Sequence, residues 1–263
     1  MKLSIFVLLV ILSIIAWTWT RASKPARAAN ARTPVLVELF TSEGCSSCPP
    51  ADRLLQKLDQ QPIAGAEMVV LSEHVDYWNQ IGWKDPYSAH SYSERQSAYA
   101  NRFALDSVYT PQMVVDGATE FVGSDSGLAE KSFQKALHNP KIPLTISSIS
   151  LDHSNTLHAH LETGPLEPSF GLSNADIYLA VALNRAESQV SAGENSGHRL
   201  VHVSVVRSLT KIGALGKGQH FAQDAQVKLE PGSDPSNLRL IAFLQEPGQG
   251  RVWGAASLPV VAK

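Results

Sequence analysis

Cysteine is scarce in this sequence: Cys45 and Cys48 are the only two among 263 residues. A structural zinc site normally takes four protein ligands, and no second cysteine pair exists to complete one. Met- and His-rich segments, which would favour copper, are also missing, as are internal repeats and low-complexity tracts. The Cys-x-x-Cys pair is therefore the motif that carries chemistry, and a static disulfide or half a zinc site are its plainer interpretations.

An excess of positive charge is absent as well. The formal net charge is −2, which argues against a nucleic-acid partner. Hydrophobic residues make up 44% of the chain, enough for one sizeable core or two modest domains.

A long transmembrane run is missing from the N-terminus. Leu3–Thr18 is an apolar run of 16 residues, whereas a spanning helix needs about 20. Lys2 precedes the run, and Arg21, Lys24 and Arg27 follow it. Residues 1–31 are thus predicted to be a cleaved signal peptide and linker, with an uncleaved membrane anchor as the alternative. Either reading exports the protein to a periplasmic or secreted location, where disulfides persist.

The stretch Val35–Leu55 organises the chain. An apolar strand, Val35–Phe40, leads through a short turn to Cys45, and a helix is predicted from about Cys48 to Gln60. Cysteines spaced in this way, where a strand leads into a helix, mark a redox-active disulfide.

The following residues predict the order β-α-β-α-β-β-α over residues 35–139, with the first three strands parallel. The predicted elements are a strand at Glu67–Ser72, a helix capped by Ser91 and Glu94 and running to Leu105, strands at Gln112–Val115 and Thr119–Val122 around an Asp116-Gly117 turn, and a helix at Gly127–His138.

The Cys-x-x-Cys after a strand, Thr110-Pro111 before a strand, and the element order together resemble the thioredoxin fold. The stretches ELFTSEGCSSCPPAD, HVDYWN, GWKDPYS, YTPQMVVDG and GENSGHRLVHVSVVRSL also resemble a family of uncharacterised secreted proteins with a thioredoxin-like domain. The resemblance implies a cis peptide bond at Pro111, with the backbone of Thr110 pairing with substrate. It also implies that Glu38 is a buried acid that accepts the Cys48 proton, with a glutamate at an edge or on the surface as the alternative. Gly44 and the Ser46-Ser47 pair depart from ordinary thioredoxin, which leaves the direction of electron flow open.

From Lys141 onward the pattern changes to seven candidate strands separated by Gly, Pro, Asn and Ser. Short, evenly spaced strands predict an immunoglobulin-like β-sandwich. The predicted fold is therefore an α/β thioredoxin-like domain over residues 34–140, followed by an all-β sandwich over residues 141–263.

The cysteines have different predicted roles. Cys45, ahead of the helix N-terminus, is the expected nucleophile and the more accessible thiol, and Cys48 is the resolving thiol. The helix N-terminus should lower the pKa of the Cys45 thiol, whereas the nearby Glu43 opposes ionisation. Only a moderate lowering of this pKa is therefore expected. The pair is expected to form an intramolecular disulfide, and no other cofactor is implied.

The loop from His74 to His90 is rich in aromatic residues. Tyr77, Trp78 and Trp83 either fill the core or form a wall that binds an extended substrate. Part of this loop is predicted to lie beside the disulfide, with Trp78 or Trp83 nearest to it.

The predicted function is an exported thiol–disulfide oxidoreductase that acts on a protein or small-molecule thiol or disulfide through a mixed disulfide. The alternative is a protein without turnover that binds a partner, or binds copper or zinc through Cys45, Cys48 and His74. A domain with a permanent disulfide is a third reading.

Overall fold

The computed structural model describes residues 32–260, so the predictions for residues 1–31 lie outside the described part of the chain. Eleven strands are present in this part: β1 (Thr33–Thr41), β2 (Ala66–His74), β3 (Gln112–Val115), β4 (Thr119–Val122), β5 (Leu144–Leu151), β6 (Thr156–Thr163), β7 (Asn174–Gln189), β8 (Arg199–Gly216), β9 (Ala222–Lys228), β10 (Leu238–Gln245) and β11 (Val252–Pro259). The α-helices of the described residues are α1 (Pro49–Gln60), α2 (His90–Phe103) and α3 (Ser126–Leu137).

Eight of these strands form one mixed sheet in the order β11-β10-β7-β8-β2-β1-β3-β4, and β5-β6-β9 form a second sheet. The prediction of a thioredoxin-like α/β domain followed by a separate β-sandwich is therefore wrong. All seven segments predicted after Lys141 are strands, but four of them extend the sheet that begins with β1. The sheet thus continues across the boundary expected between residues 140 and 141.

The edge of β2 explains why the halves join. Val69, Val70 and Leu71 are buried, and β1 occupies one side of the strand along nine residue pairs. The opposite edge would leave backbone donors and acceptors unpaired next to a core. β8 covers that edge, with Ser72 paired to Val205 and the Ser204 hydroxyl donating to the Val70 carbonyl at 2.5 Å.

The helices cover both faces of the central strands. Val35, Val37 and Leu39 pack with apolar side chains of α1 and α3, whereas Leu36 packs with Tyr92 of α2. Alternate residues of a strand point to opposite faces, so this division follows from the pleat. The face of β7 that carries Ile177 packs against the second sheet.

Two local predictions also need correction. The third strand is antiparallel to β1, rather than parallel. The helix α2 begins at His90 after Ala89 without a side-chain cap, so the capping box of Ser91 and Glu94 is not formed. Among the described residues, no helix is both long enough and apolar enough to cross a bilayer.

Candidate active site

The two cysteines lie where β1 passes into α1. Cys45 and Cys48 form the expected disulfide, with their Cα atoms 5.4 Å apart. Cys48 is the residue that precedes α1, and its carbonyl accepts hydrogen bonds from the amides of Ala51 and Asp52. Pro49 can occupy the first helical position because an amide there needs no partner within the helix. The disulfide therefore sits at the positive end of the helix dipole.

The backbone ahead of Pro111 faces the cysteine turn. The Thr110–Pro111 bond is cis, which confirms the prediction. The Ser47 hydroxyl lies 3.3 Å from Cys45 Sγ and donates to the Thr110 carbonyl at 3.4 Å. Ser47 thus joins the disulfide to the segment that was predicted to bind substrate.

Trp78 packs against the same turn. Its indole N–H donates to Thr110 Oγ1 at 2.8 Å. A Cβ atom on Gly44 would lie 3.1 Å from the Trp78 Cβ and 3.3 Å from its carbonyl oxygen. The glycine before Cys45, one of the departures from ordinary thioredoxin, therefore gives Trp78 the space to approach.

The other aromatic residues of the loop divide into two groups. Trp83 donates its indole N–H to Glu43 Oε2 at 2.7 Å, two residues before Cys45. Tyr77 is 37% exposed, and its hydroxyl donates to Gln96, on α2. The structure thus brings Trp78 and Trp83 to the cysteine turn and leaves Tyr77 on its outer side.

Both cysteines are fully buried, which differs from the accessible Cys45 that the sequence predicts. The covering loop, which we define as residues 190–198 between β7 and β8, lies against the cysteine turn. Its Asn195 side chain donates to the carbonyls of Glu43 at 2.9 Å and Cys45 at 3.0 Å. Its Glu194 carboxylate accepts the Ser46 amide hydrogen at 3.1 Å, and the Ser46 side chain together with this amide lowers the pKa of Glu194.

A buried polar group, which we call the site cluster, lies beside the turn and consists of Glu43, Asp52 and His202. His202 Nε2 is 3.4 Å from Glu43 Oε1, and its Nδ1 is 3.6 Å from Asp52 Oδ1. Burial opposes the imidazolium, but the charges of Asp52 and Glu43 outweigh it and raise the pKa of His202 to about 10. At neutral pH, His202 is therefore a cation held between two carboxylates.

A second buried pair touches the site cluster. His74 Nδ1 lies 2.7 Å from Asp85 Oδ2, and the His74 ring packs edge-on against the His202 ring at 4.7 Å. Burial would raise the pKa of Asp85, but the charge of His74 and several hydrogen bonds lower it to about 2. In residues 32–260, no group of His, Cys, Asp or Glu side chains is arranged to hold a metal, so the set Cys45, Cys48 and His74 is not assembled.

Glu38 lies away from the cysteines. It is fully buried on the face of β1 opposite α1, where Arg95 Nε donates to its Oε1 at 2.7 Å and the Tyr99 hydroxyl donates to its Oε2. The buried acids on either side of the cysteine pair are instead Glu43 and Asp52, and Asp52 Oδ1 accepts the Thr41 hydroxyl at 3.0 Å.

The sequence interpretation missed three residues from the second half of the chain: Glu194, Asn195 and His202. The signal for His202 was present, because His202 and Ser204 are the polar residues of an otherwise apolar run, Leu200–Val206. The glycines at 193 and 197 signal a tight loop ahead of that strand. Neither feature indicates that the loop reaches the cysteines.

Fold and site together define a class of protein: a mixed β-sheet protein with a buried Cys-x-x-Cys disulfide covered by a hairpin loop from its second half. The chain belongs to the DUF1223 family, described as a protein of unknown function, whose profile matches residues 36–245.

Two solved structures are similar over most of the chain. Protein AGR_C_4864 from Agrobacterium tumefaciens has a TM-score of 0.68 and 25% identity, with 89% of this chain and 98% of that chain covered. HBP35 of Porphyromonas gingivalis has a TM-score of 0.62 and 14% identity, with 87% of this chain and 76% of that chain covered, a likeness of fold alone. No curated protein matches the sequence.

Proposed function

We propose that this protein is an exported thiol–disulfide oxidoreductase that uses Cys45 and Cys48. The observation that carries the proposal is the placement of the disulfide at the start of α1, with Ser47 connecting it to the Thr110 carbonyl. A helix N-terminus favours a thiolate, the form of cysteine that attacks disulfides. The apolar run near the N-terminus supports the exported location.

In the reduced protein, the Cys45 thiolate attacks one sulfur of a substrate disulfide. A mixed disulfide forms, and the other substrate sulfur leaves as a thiolate. The Cys48 thiolate then attacks Cys45 Sγ, which restores the Cys45–Cys48 disulfide and releases the second substrate thiolate. The substrate gains two electrons and the protein loses two. A substrate dithiol drives the same steps in reverse.

Thiol–disulfide exchange requires that a substrate sulfur can reach the sulfur of Cys45. Exchange needs the attacking sulfur to approach along the S–S axis, and both cysteines have no exposed surface. The covering loop, held by Asn195 and Glu194, contributes no strand residues, so its displacement would open the turn without breaking the sheet. Turnover therefore includes an opening step.

Trapping of a covalent intermediate tests the proposal. Cys48→Ala is expected to accumulate a mixed disulfide on Cys45 when the purified protein is mixed with a peptide disulfide, because the resolving thiol is missing. Cys45→Ala is the matched control and should accumulate none. Wild-type protein should also catalyse reduction of the peptide disulfide by dithiothreitol.

A static disulfide is the competing reading, and burial of both sulfurs favours it. It predicts that wild-type protein reduces the peptide no faster than the Cys45→Ser/Cys48→Ser double variant. That result, together with the absence of an adduct in Cys48→Ala, would overturn the proposal.

A further inference from the structure

His202 is the cationic member of the site cluster. It is 1% exposed, and it lies between a carboxylate two residues before Cys45 and another four residues after Cys48. The remaining contacts of the two acids are neutral: Trp83 donates to Glu43, and Thr41 donates to Asp52. The imidazolium therefore balances part of the negative charge on either side of the disulfide.

The contacts of His202 are electrostatic. Neither ring nitrogen has a hydrogen-bond partner, and the distances of 3.4 and 3.6 Å exceed a normal N–H···O bond. The other titratable groups that face the ring are His74 and Tyr87, and Asp85 lies behind His74. A cavity of about 230 Å³ at the start of α1 is lined by residues that include Pro49, Asp52 and His202, together with the cations Arg53 and Arg199.

We propose that His202 is a positioning residue whose charge sets how readily the Cys45–Cys48 disulfide is reduced. This inference rests on the proposed function, because it assigns a role in the same thiol chemistry. Reduction adds two electrons and creates thiols, one of which must ionise in order to react. Two nearby carboxylates disfavour that thiolate, and the imidazolium offsets them.

The proposal makes opposite predictions for the two partners. His202→Gln removes the cation and leaves two carboxylates, so the reduced form is destabilised and the thiolate is harder to form. Asp52→Asn removes one carboxylate but keeps an oxygen that accepts the Thr41 hydrogen bond, so the reduced form is favoured. Each change should shift the dithiol–disulfide equilibrium constant about tenfold, in opposite directions, which corresponds to about one pKa unit of the reacting thiol.

Two measurements on the full-length protein test this. Equilibration with glutathione redox buffers gives the reduction equilibrium, and the ultraviolet absorbance of thiolate against pH gives the acidity of the reduced pair. His160→Gln is the matched control, because it removes a histidine of β6 that pairs with Asp224 of β9, in the second sheet. It should leave both readouts unchanged.

A histidine that only fills space would leave the two readouts of a folded His202→Gln protein equal to those of wild type, and that result would overturn the inference. If His202→Gln does not fold, Asp52→Asn decides alone: a shift towards the reduced form supports the inference, and no shift or the opposite shift overturns it. Neither measurement requires turnover. A protein without oxidoreductase activity whose equilibrium still responds would refute the proposed function and leave this inference standing.

Discussion

Two buried clusters in this protein share one plan, a single cation between two carboxylates, and they differ in how that cation is held. The site cluster consists of Glu43, Asp52 and His202. The second, which we call the Arg95 cluster, consists of Glu38, Glu73 and Arg95. The site cluster flanks the disulfide, whereas the Arg95 cluster joins α2 to β1, β2 and β10.

The cation of the Arg95 cluster is permanent and hydrogen-bonded to three side chains. Arg95 donates to Glu38 at 2.7 Å, to Gln245 at 2.9 Å and to Tyr99 at 3.3 Å. Burial, together with the charge of Glu38, raises the pKa of Glu73 well above its ordinary value despite Arg95, so the protonated form of Glu73 is favoured.

The site cluster has the opposite character. Its cation can titrate, and its ring nitrogens form no hydrogen bonds. A fixed, hydrogen-bonded charge suits a scaffold, whereas a loosely held, titratable charge suits a site whose sulfur chemistry depends on thiolate ionisation.

Breaking the Arg95 cluster should cost the most stability. Arg95→Ala leaves the buried Glu38 without its cation, which typically costs about 3–5 kcal/mol. Denaturant unfolding of the oxidised protein measures the loss, and the Glu38→Gln/Arg95→Met double variant is the matched control and should recover part of it. The reduction equilibrium of the disulfide should stay within about twofold of wild type, because this charge lies on the other face of β1. A loss below about 1 kcal/mol would contradict a structural role.

The site cluster should instead make the free energy of unfolding depend on pH. A histidine whose pKa is higher in the folded state stabilises the fold fully below its unfolded value, and this contribution disappears as the pH rises towards the folded value. For His202 the window runs from 6.5 to about 10. Between pH 6.5 and about pH 8.5, wild-type protein should lose about 2 kcal/mol more unfolding free energy than His202→Gln. Chemical denaturation at both pH values checks this, and parallel slopes would mean that His202 is neutral.

The two clusters also show which parts of the structure could be predicted from the sequence. The strand–turn–helix around Cys45 and all seven later strands were predictable, because periodicity and turn residues are local signals, whereas the cis bond before Pro111 was implied only by the resemblance to the thioredoxin fold. The placement of Glu38 was misjudged, since its buried position is visible in the sequence whereas its partner, Arg95, lies 57 residues away. The hydrophobic pattern of a strand indicates which of its faces is buried, but it does not indicate which other strand pairs with each edge. The junction of β2 with β8 was therefore also missed.

The junction of β2 with β8 brings the covering loop to the cysteine turn, and substitution of Asn195 tests whether this loop limits access to the disulfide. Asn195→Ala leaves the buried carbonyls of Glu43 and Cys45 without their shared donor, which costs about 1–3 kcal/mol. Part of that loss falls on loop closure, so reduction of the disulfide by dithiothreitol should accelerate about tenfold. Ser196→Ala, a change in the same loop at an exposed residue, is the control. Equal reduction rates in the two variants would mean that the loop does not limit access.

The smallest effect should be optical, and it tests the surroundings of the site cluster. The described part of the chain holds three tryptophans: Trp78 and Trp83 at the cysteine turn, and Trp253 near Phe170 and Arg251. A nearby disulfide commonly quenches indole emission, and reduction removes that quencher while changing the charge beside Glu43. Emission of wild-type protein should therefore change on reduction.

The three tryptophans can be separated by substitution. Trp78→Phe should remove most of the change, because Trp78 packs directly on the residue before Cys45. Trp83→Phe should reduce the change and also shift the reduction equilibrium slightly, since Glu43 loses the indole donor to Oε2 and its charge bears more fully on the sulfurs. Trp253→Phe should leave the change intact. If the change in emission on reduction survives in both Trp78→Phe and Trp83→Phe, neither indole reports on the disulfide. The aromatic residues of the loop then fill the core, and tryptophan fluorescence says nothing about the site cluster.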